Sequence, residues 1–461
     1  MTQELARSSP ASTEPPWLSR LLAPVTEVRP GEAVTALIMT ANVFLMLTAY
    51  YLIKPVREAL ILALESGAEY KSYMSAAIAV VLLFAVPAYA KIVDKLPRRK
   101  LVVGVSLFFA LHLMLFFAAS LSPALRSEMG LLFYLWVGIF NMMVVAQFWA
   151  FANDIYGVEQ GKRIFPLIAL GASLGAAVGS KIASGLIPLF GLFPMLLVAA
   201  ALLATCAALF LLADAREAAR SKDVQALLAV VSTPPKSGAG AFQIVFQHRY
   251  LLLIAAFSLV FSWVNSNGEY LLGKLIKAAA VEAVGRNEIA SSGVGAYIGA
   301  AYGEFFFYVN VLGVLLQSFV VSRLIRWIGI GPAFFVLPVI ALADASAVAF
   351  VPLLAVLRIG KVAENATDYS LNNTLRQMLW LVTTREMKYK AKQAVDTFCV
   401  RMGDVSSALL VYAGTAFFGF TVRKFSIVNV ALVGLWLVLA VAIVREQARM
   451  TAAKVDPPGA S

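Results

Sequence analysis

Residues 191–213 read GLFPMLLVAAALLATCAALFLLA and contain no charged side chain. A helix of about 20 mostly apolar residues is long enough to cross the hydrocarbon core of a membrane, so this stretch predicts a transmembrane helix. Comparable stretches recur along the chain and predict about twelve spans. They lie near residues 33–56, 72–92, 101–120, 130–152, 165–187, 191–213, 250–276, 301–322, 332–350, 353–376, 393–420 and 426–445. We therefore expect an all-α polytopic membrane protein.

The composition of the whole chain agrees with this interpretation. Of its 461 residues, 61% are hydrophobic and 14% are charged, whereas a soluble domain carries about 25% charged residues. This composition excludes a soluble enzyme and a disordered chain. Two cysteines, Cys206 and Cys399, are too few for a disulfide framework, and both lie in apolar stretches that predict burial.

The loops predict the orientation in the membrane. Lys and Arg concentrate in the loops after spans two, four, six, eight and ten, and the net charge is +12. Because cytoplasmic loops carry the excess of Lys and Arg, both termini are expected in the cytoplasm. In this arrangement the basic residues set orientation, and no binding of nucleic acid is expected. Residues 1–32 and 448–461 are then cytoplasmic tails.

A Pro/Gly/Ser-containing connection at 214–249 divides the spans into two halves, 33–213 and 250–447. The loop after span two reads Asp94-Lys-Leu-Pro-Arg98-Arg99-Lys100, and its counterpart in the second half reads Ser322-Arg-Leu-Ile-Arg326-Trp-Ile-Gly329. An acidic residue followed by an Arg cluster resembles the signature of the major facilitator superfamily. This resemblance implies two six-helix halves with a site between them near the midplane.

Three glycines at intervals of four, Gly171, Gly175 and Gly179, lie in span five. Small residues at this spacing allow two membrane helices to approach closely. The row predicts tight helix packing and carries no information about a ligand.

Charged residues inside predicted spans are the candidates for function, because a charge in the bilayer is costly and usually faces a cavity or a partner. Lys54, Arg57 and Glu58 lie at the end of span one, either as a site or as an interface cluster. Asn153 and Glu159 flank the loop after span four, where they are either functional or solvated. In span seven, Glu269 either faces a cavity or pairs with Lys274.

Span ten carries the longest polar pattern. Its polar residues recur at helical spacing and so share one face of a helix: Lys361, Glu364, Asn365, Asp368, Asn372 and Arg376. Such a face lines a water-filled path or pairs with neighbouring helices. Lys54, Arg57 and Arg376 could form a basic patch for phosphate or carboxylate, balanced by carboxylates that could also bind a coupling proton. The residues alone indicate a transporter of a polar solute.

Five segments resemble the nucleotide transporter family, the ADP/ATP carrier-like proteins of plastids and intracellular bacteria. They are Tyr51–Glu58, Phe148–Leu167, Asn267–Glu269 with the following Lys274, Leu375–Met378, and Lys390–Lys392 with Asp396. The resemblance covers nearly all of both halves and implies exchange of ADP and ATP by alternating access, with the chain in a bacterial cytoplasmic (inner) membrane. A monomer is expected.

Position by position, the resemblance places Arg57, Glu159, Glu269 and Arg376 where the family has charged residues important for transport. Arg57 and Arg376 replace lysines of the family pattern, and Gln377 replaces a glutamate. The complete expected substrate-binding set follows from this resemblance and from the charged spans. It consists of Lys54, Arg57, Glu58, Asn153, Glu159, Glu269, Asp368, Asn372 and Arg376.

There are three alternatives to a nucleotide exchanger. A proton-coupled carrier or exporter of another solute, an organic anion or a lipid-like molecule, would use Glu269 and Asp368 as proton sites. An enzyme is not expected, because there is no metal-ligand cluster, P-loop or nucleophile elbow, and the only histidines are His112 and His248. A structural or receptor role is the third. No cofactor or metal is expected, and the partners are a small solute and the lipid bilayer.

Overall fold

A computed structural model describes residues 32–93, 98–156, 158–221, 241–384, 387 and 391–455. Several predicted features lie outside the described residues. These are the N-terminal tail, the acidic start of the loop at 94–97, most of the 214–249 connection, the loop lysines at 388 and 390, and the end of the C-terminal tail.

Six long helices form the first helix group. They are α1 (Ala33–Leu62), α2 (Gly67–Val93), α3 (Arg98–Ser120), α4 (Pro123–Ile155), α5 (Val158–Phe190) and α6 (Pro194–Ser221). Helix α6 contains most of the apolar stretch at 191–213. Helix α1 continues beyond the predicted end of span one at residue 56, because the side chain of Glu58 is buried and ion-paired there.

After a short helix (Ala241–Gln247), six further helices form the second helix group. Helices α7 (Arg249–Gly285) and α12 (Val422–Val455) are continuous. Helix α8 comprises Val294–Leu315, a π-helical turn Leu316–Val320 and Val321–Ile328, and α9 comprises Ile330–Ala333 and Val336–Phe350. Helix α10 comprises Leu354–Thr367, a π-helical turn Asp368–Asn372 and Asn373–Leu379, and α11 comprises Lys392–Ala394, a π-helical turn Val395–Cys399 and Val400–Ala416.

Within the described residues, ten helices are long and apolar enough to cross a membrane. The other two predicted spans, 353–376 and 393–420, correspond to α10 and α11, which are interrupted by π-helical turns and carry charged side chains. The expected all-α, multi-span architecture is confirmed. The π-helical turn Asp368–Asn372 breaks the regular spacing from which a single polar face of span ten was predicted.

The glycine row of α5 packs directly against α1, as its spacing predicts. A Cβ atom at Gly175 would lie 2.2 Å from the carbonyl oxygen of Phe44, and one at Gly179 would lie 2.5 Å from that of Thr48. The hydroxyl of Thr48 also donates to the carbonyl of Gly175 at 3.2 Å. Any side chain at these two positions would therefore force α1 and α5 apart.

The two helix groups meet along α5 with α8, α2 with α11, and α1 with α8. A Cβ at Gly303 would lie 2.7 Å from the backbone nitrogen of Ser184, and Asn310 Nδ2 donates to Ser180 Oγ at 3.3 Å. We call the end of the bundle at which α1 ends and α2 begins the distal end. The contacts of Gly303 and Asn310 lie in the part of the interface nearer the distal end.

Candidate functional site

A cavity of about 310 Å³ lies between the two helix groups. Helices α1, α2 and α4 form one wall, and α7, α8, α10 and α11 form the other. Four basic and four acidic side chains line it: Lys54, Arg57, Lys71, Arg401, Glu58, Glu269, Asp368 and Asp404. Because a charged cavity in a membrane protein marks a solute or ion pathway by default, this cavity is the candidate site.

Lys71 joins the two walls of the cavity. Its ammonium lies 2.8 Å from Glu58 Oε2 in the first helix group and 3.4 Å from Glu269 Oε2 in the second. It also donates to the hydroxyl of Tyr302 at 3.1 Å. Glu58 is 1% exposed and is bonded to Arg57 as well. The carboxylate of Glu58 therefore has two basic partners, and neither is Lys54, which stands one helical turn away in sequence.

Lys54 is held by aromatic rings. Its Nζ atom lies 3.8 Å from the ring centroid of Phe306 and 5.1 Å from that of Tyr51, which is cation–π geometry. No carboxylate among the described residues forms an ion pair with it. Arg57 is shared between Glu58 and the ring of Tyr134, at 4.5 Å from its centroid. The ammonium of Lys54 is thus a cavity cation that an incoming anion could bind.

Glu269 is bound by the polar face of α10. Lys361, which is fully buried, donates to Asn265 Oδ1 at 2.9 Å and pairs with Glu364 at 3.2 Å and with Glu269 at 4.0 Å. Asn365 Nδ2 also donates to Glu269 Oε1, at 3.0 Å. The alternative in which Glu269 pairs with Lys274 is wrong. Since Lys274 lies further along α7 towards the distal end, its ammonium pairs with Glu69 of α2 instead, at 3.1 Å.

Helix α11 contributes two lining residues that the sequence interpretation missed. Asp404 accepts hydrogen bonds from Ser266 at 2.6 Å and Ser262 at 3.2 Å, and it pairs with Arg401 at 3.0 Å. A basic and an acidic residue three positions apart inside predicted span eleven were the available signal. Lys71 was also missed as a lining residue, because the predicted bounds of spans one and two leave it in the loop between them.

Lys54, Arg57, Glu58, Glu269 and Asp368 of the expected binding set line the cavity. Asn372 lies behind it and donates to Asp368 Oδ1 at 2.7 Å.

The remaining three members of the expected set lie away from the cavity. Asn153 and Glu159 are exposed, where α4 ends and α5 begins, and Glu159 pairs with Lys162 at 2.7 Å. Arg376 pairs with Asp396 at 3.1 Å and lies over the ring of Phe261. A role in substrate binding for Asn153, Glu159 and Arg376, and for Asn372, stays a prediction.

The position of α10 gives a direct test of which residues face water. Cysteines at 365 and 368 are expected to react with a water-soluble thiol reagent, because both side chains line the cavity. A cysteine replacing Ile359, whose side chain is 73% exposed on the outer face of α10, is the matched control and is expected not to react within the bilayer. Equal labelling at all three positions would contradict the assignment of the cavity.

The chain is similar in sequence to known carrier proteins. No family model matches the chain. The ADP,ATP carrier protein 1 of Chlamydia trachomatis is 23% identical over 343 residues, which cover 65% of this chain and 62% of that protein. Its counterpart in Chlamydia muridarum is 24% identical over 308 residues, which cover 59% and 55%. The chain thus spans less than two thirds of the length of these curated relatives.

Solved structures settle the fold. The nucleoside transporter NupG superposes with a TM-score of 0.60 at 14% identity, covering 89% of this chain and 98% of that one. The chain has the fold of a major facilitator superfamily transporter. The transporter PepTSo of the POT family, at a TM-score of 0.60 and 12% identity, covers 90% and 98%. A major facilitator fold makes this an integral, multi-pass membrane protein and confirms the architecture expected from the sequence.

Proposed function

We propose that the protein is a secondary-active transporter that exchanges ATP, ADP or closely related nucleotides by alternating access around the central cavity. Two independent lines support this proposal. The sequence is similar to carriers named for ADP and ATP, and the cavity places basic and aromatic side chains together. In transporters of this fold, the two halves rock around a site near the midplane.

The observation that carries the proposal is the environment of Lys54. Its ammonium has aromatic neighbours and no carboxylate partner among the described residues, so an anion can reach it without breaking an ion pair. Arg57 lies one turn further along α1 and presents the planar fork that suits phosphate oxygens. Tyr369 also lines the cavity, is partly exposed, and supplies an aromatic ring on which a base could stack.

The proposed setting follows the distribution of charge along the chain. Because the loops rich in Lys and Arg lie in the cytoplasm, both termini are cytoplasmic, and the distal end of the bundle faces the opposite side of the membrane. The similarity to bacterial carriers supports a bacterial inner membrane. The halves 33–213 and 250–447 would move as units joined by the 214–249 connection. We expect a monomer to be sufficient, because the cavity is formed within one chain.

The test is uptake of labelled ATP by proteoliposomes preloaded with ADP, compared with empty ones. Lys54→Gln is expected to weaken nucleotide affinity by roughly tenfold or more, since a charge-assisted contact contributes about 1.5–3 kcal/mol. The matched control is Arg286→Gln, which removes an exposed basic residue paired with Glu282 and is expected to transport normally. If folded wild-type protein takes up no ATP with or without internal ADP, nucleotide exchange is rejected.

A second candidate function rests on the balance of charge in the cavity. Its four basic and four acidic lining residues cancel, and such a site suits a solute with less charge than a nucleotide. This candidate is a proton-coupled carrier or exporter of another organic anion or of a lipid-like molecule. Binding of a labelled organic anion or lipid, measured with and without an excess of ATP, distinguishes the two, because only the second candidate predicts binding that nucleotides do not displace.

A further inference from the structure

Asp344 is an acidic residue outside the cavity for which the proposed transport cycle has so far no role. It is the single charged residue of the Val336–Phe350 segment of α9 and is 8% exposed. Its Oδ1 atom is buried and has no hydrogen-bond partner in the described part of the chain. An ionised carboxylate in this position is costly, because the membrane interior offers no water and no ion pair with Asp344 forms among the described residues.

The carboxyl group of Asp344 lies directly against α10 at a glycine. A Cβ atom at Gly360 would be only 1.8 Å from Asp344 Oδ1, so any other residue there would displace the carboxyl group. The next residue along α10 is Lys361, the buried lysine that binds Asn265, Glu364 and Glu269. Asp344 is thereby placed beside the charge cluster of the cavity without taking part in its ion pairs.

Among the described residues, Glu364 and Lys361 of α10 are the charged groups that interact electrostatically with Asp344. Helix α12, which also packs on α9, brings the guanidinium of Arg423 to the carbonyls of Ala349 and Phe350. That contact lies more than a helical turn beyond Asp344. The charge on the carboxyl group of Asp344 is therefore felt mainly by the Lys361 cluster.

We propose that Asp344 is a proton-binding site whose occupancy is coupled to movement of the two halves. With a proton on Asp344, Lys361 has two charged partners, Glu364 and Glu269. When Asp344 loses its proton, Lys361 faces a third carboxylate and its hold on Glu269 weakens. Glu269 is the residue that pairs with Lys71 across the two helix groups. Protonation of Asp344 therefore affects the contact between the two halves.

Coupling to a proton would also solve a problem of charge in the proposed exchange. ATP carries one more negative charge than ADP, so their exchange alone moves net charge across the membrane. A proton that enters on Asp344 with ATP and leaves before ADP returns makes the exchange electroneutral. This coupling rests on the proposed nucleotide function, whereas the proton site itself does not.

The proton site is tested on purified full-length protein without a substrate. Infrared titration is expected to reveal a carboxyl C=O band in the wild type that is lost in Asp344→Asn and in Asp344→Ala. Asn keeps the shape of the protonated acid, whereas Ala removes the polar group altogether. Because the two substitutions perturb the site in different ways, we expect at least one of the variants to fold. The control is Glu288→Gln in an exposed loop, which should keep the band. An unchanged titration in the Asp344 variants overturns the site.

The coupling is tested in ADP-loaded proteoliposomes with labelled ATP. Wild-type exchange is expected to accelerate several-fold with acid outside and to be insensitive to membrane potential. Exchange by Asp344→Asn should persist, ignore the pH gradient and become sensitive to the potential. Wild-type exchange that follows the potential and ignores pH overturns the coupling. If the wild type exchanges no nucleotide, the proposed function fails, and the infrared result alone decides whether Asp344 binds a proton.

Discussion

Replacing Lys71 with alanine is expected to destabilise the protein and to abolish transport. Lys71 is buried and pairs with Glu58 and Glu269 on opposite sides of the cavity. Removing one partner of a buried ion pair costs about 3–5 kcal/mol, because an uncompensated charge remains. We expect the lower end of that range, since Arg57 still binds Glu58 and Lys361 still lies near Glu269. Thermal unfolding in detergent and ATP uptake measure the two effects.

Three further variants identify the cause of the Lys71 effect. Lys71→Arg keeps the charge and is expected to retain most stability. Lys71→Ala combined with Glu269→Gln removes the lysine and one acid together, so it should unfold less readily than Lys71→Ala alone. Lys162→Ala breaks an exposed pair of the kind that contributes about 0–1 kcal/mol and serves as the control. If Lys71→Ala were as stable as Lys162→Ala, Lys71 would not hold the two helix groups together.

Much of this fold follows from local sequence alone. Apolar stretches of membrane length, such as 191–213, need no tertiary information, because the hydrocarbon thickness sets their length. The glycines at 171, 175 and 179 likewise predict a close contact, which α1 fulfils. The spacing of the glycines could not reveal which helix is the partner. Spacing along one helix identifies a face, whereas the neighbour of that face is decided by the packing of all twelve helices.

Helix α10 illustrates why the site was only partly predictable. The polar spacing from Lys361 to Arg376 assumes an uninterrupted helix, yet Asp368–Asn372 forms a π-helical turn. A π-bulge adds a residue to the turn, and each residue of an α-helix advances by about 100° around the axis. The side chains after the bulge are rotated accordingly. Asn365 and Asp368 therefore line the cavity, while Arg376 turns to Asp396.

Partners of the charged residues could not be read from the sequence for a related reason. Residues three or four apart on a helix are the natural candidates for pairing, and Lys54 and Glu58 have this spacing in the sequence. The structure satisfies Glu58 through Arg57 and through Lys71 of α2 instead. A buried carboxylate takes the best geometry available from all surrounding helices, and Lys54 is left to the ring of Phe306.

Linking Glu69 of α2 to Lys274 of α7 is expected to stop transport. Lys274 Nζ lies 3.1 Å from Glu69 Oε1, and Lys277 donates to the carbonyls of Leu64 and Glu65 beside it. These contacts hold the two helix groups together at the distal end. Alternating access requires this end to open. The two residues replaced by cysteines and joined by a short bifunctional thiol reagent should therefore reduce ATP uptake to background.

The matched control joins two residues within the second helix group. Glu304 of α8 and Arg358 of α10 form a pair at 2.6 Å, so cysteines there are equally easy to link, but the link does not cross between the groups. Cys206 and Cys399 are replaced in both proteins so that only the engineered thiols react. Transport should survive the Glu304–Arg358 link, and a long flexible reagent at 69 and 274 should restore part of it. Full activity of the protein with the short 69–274 link would mean that the distal end does not open during transport.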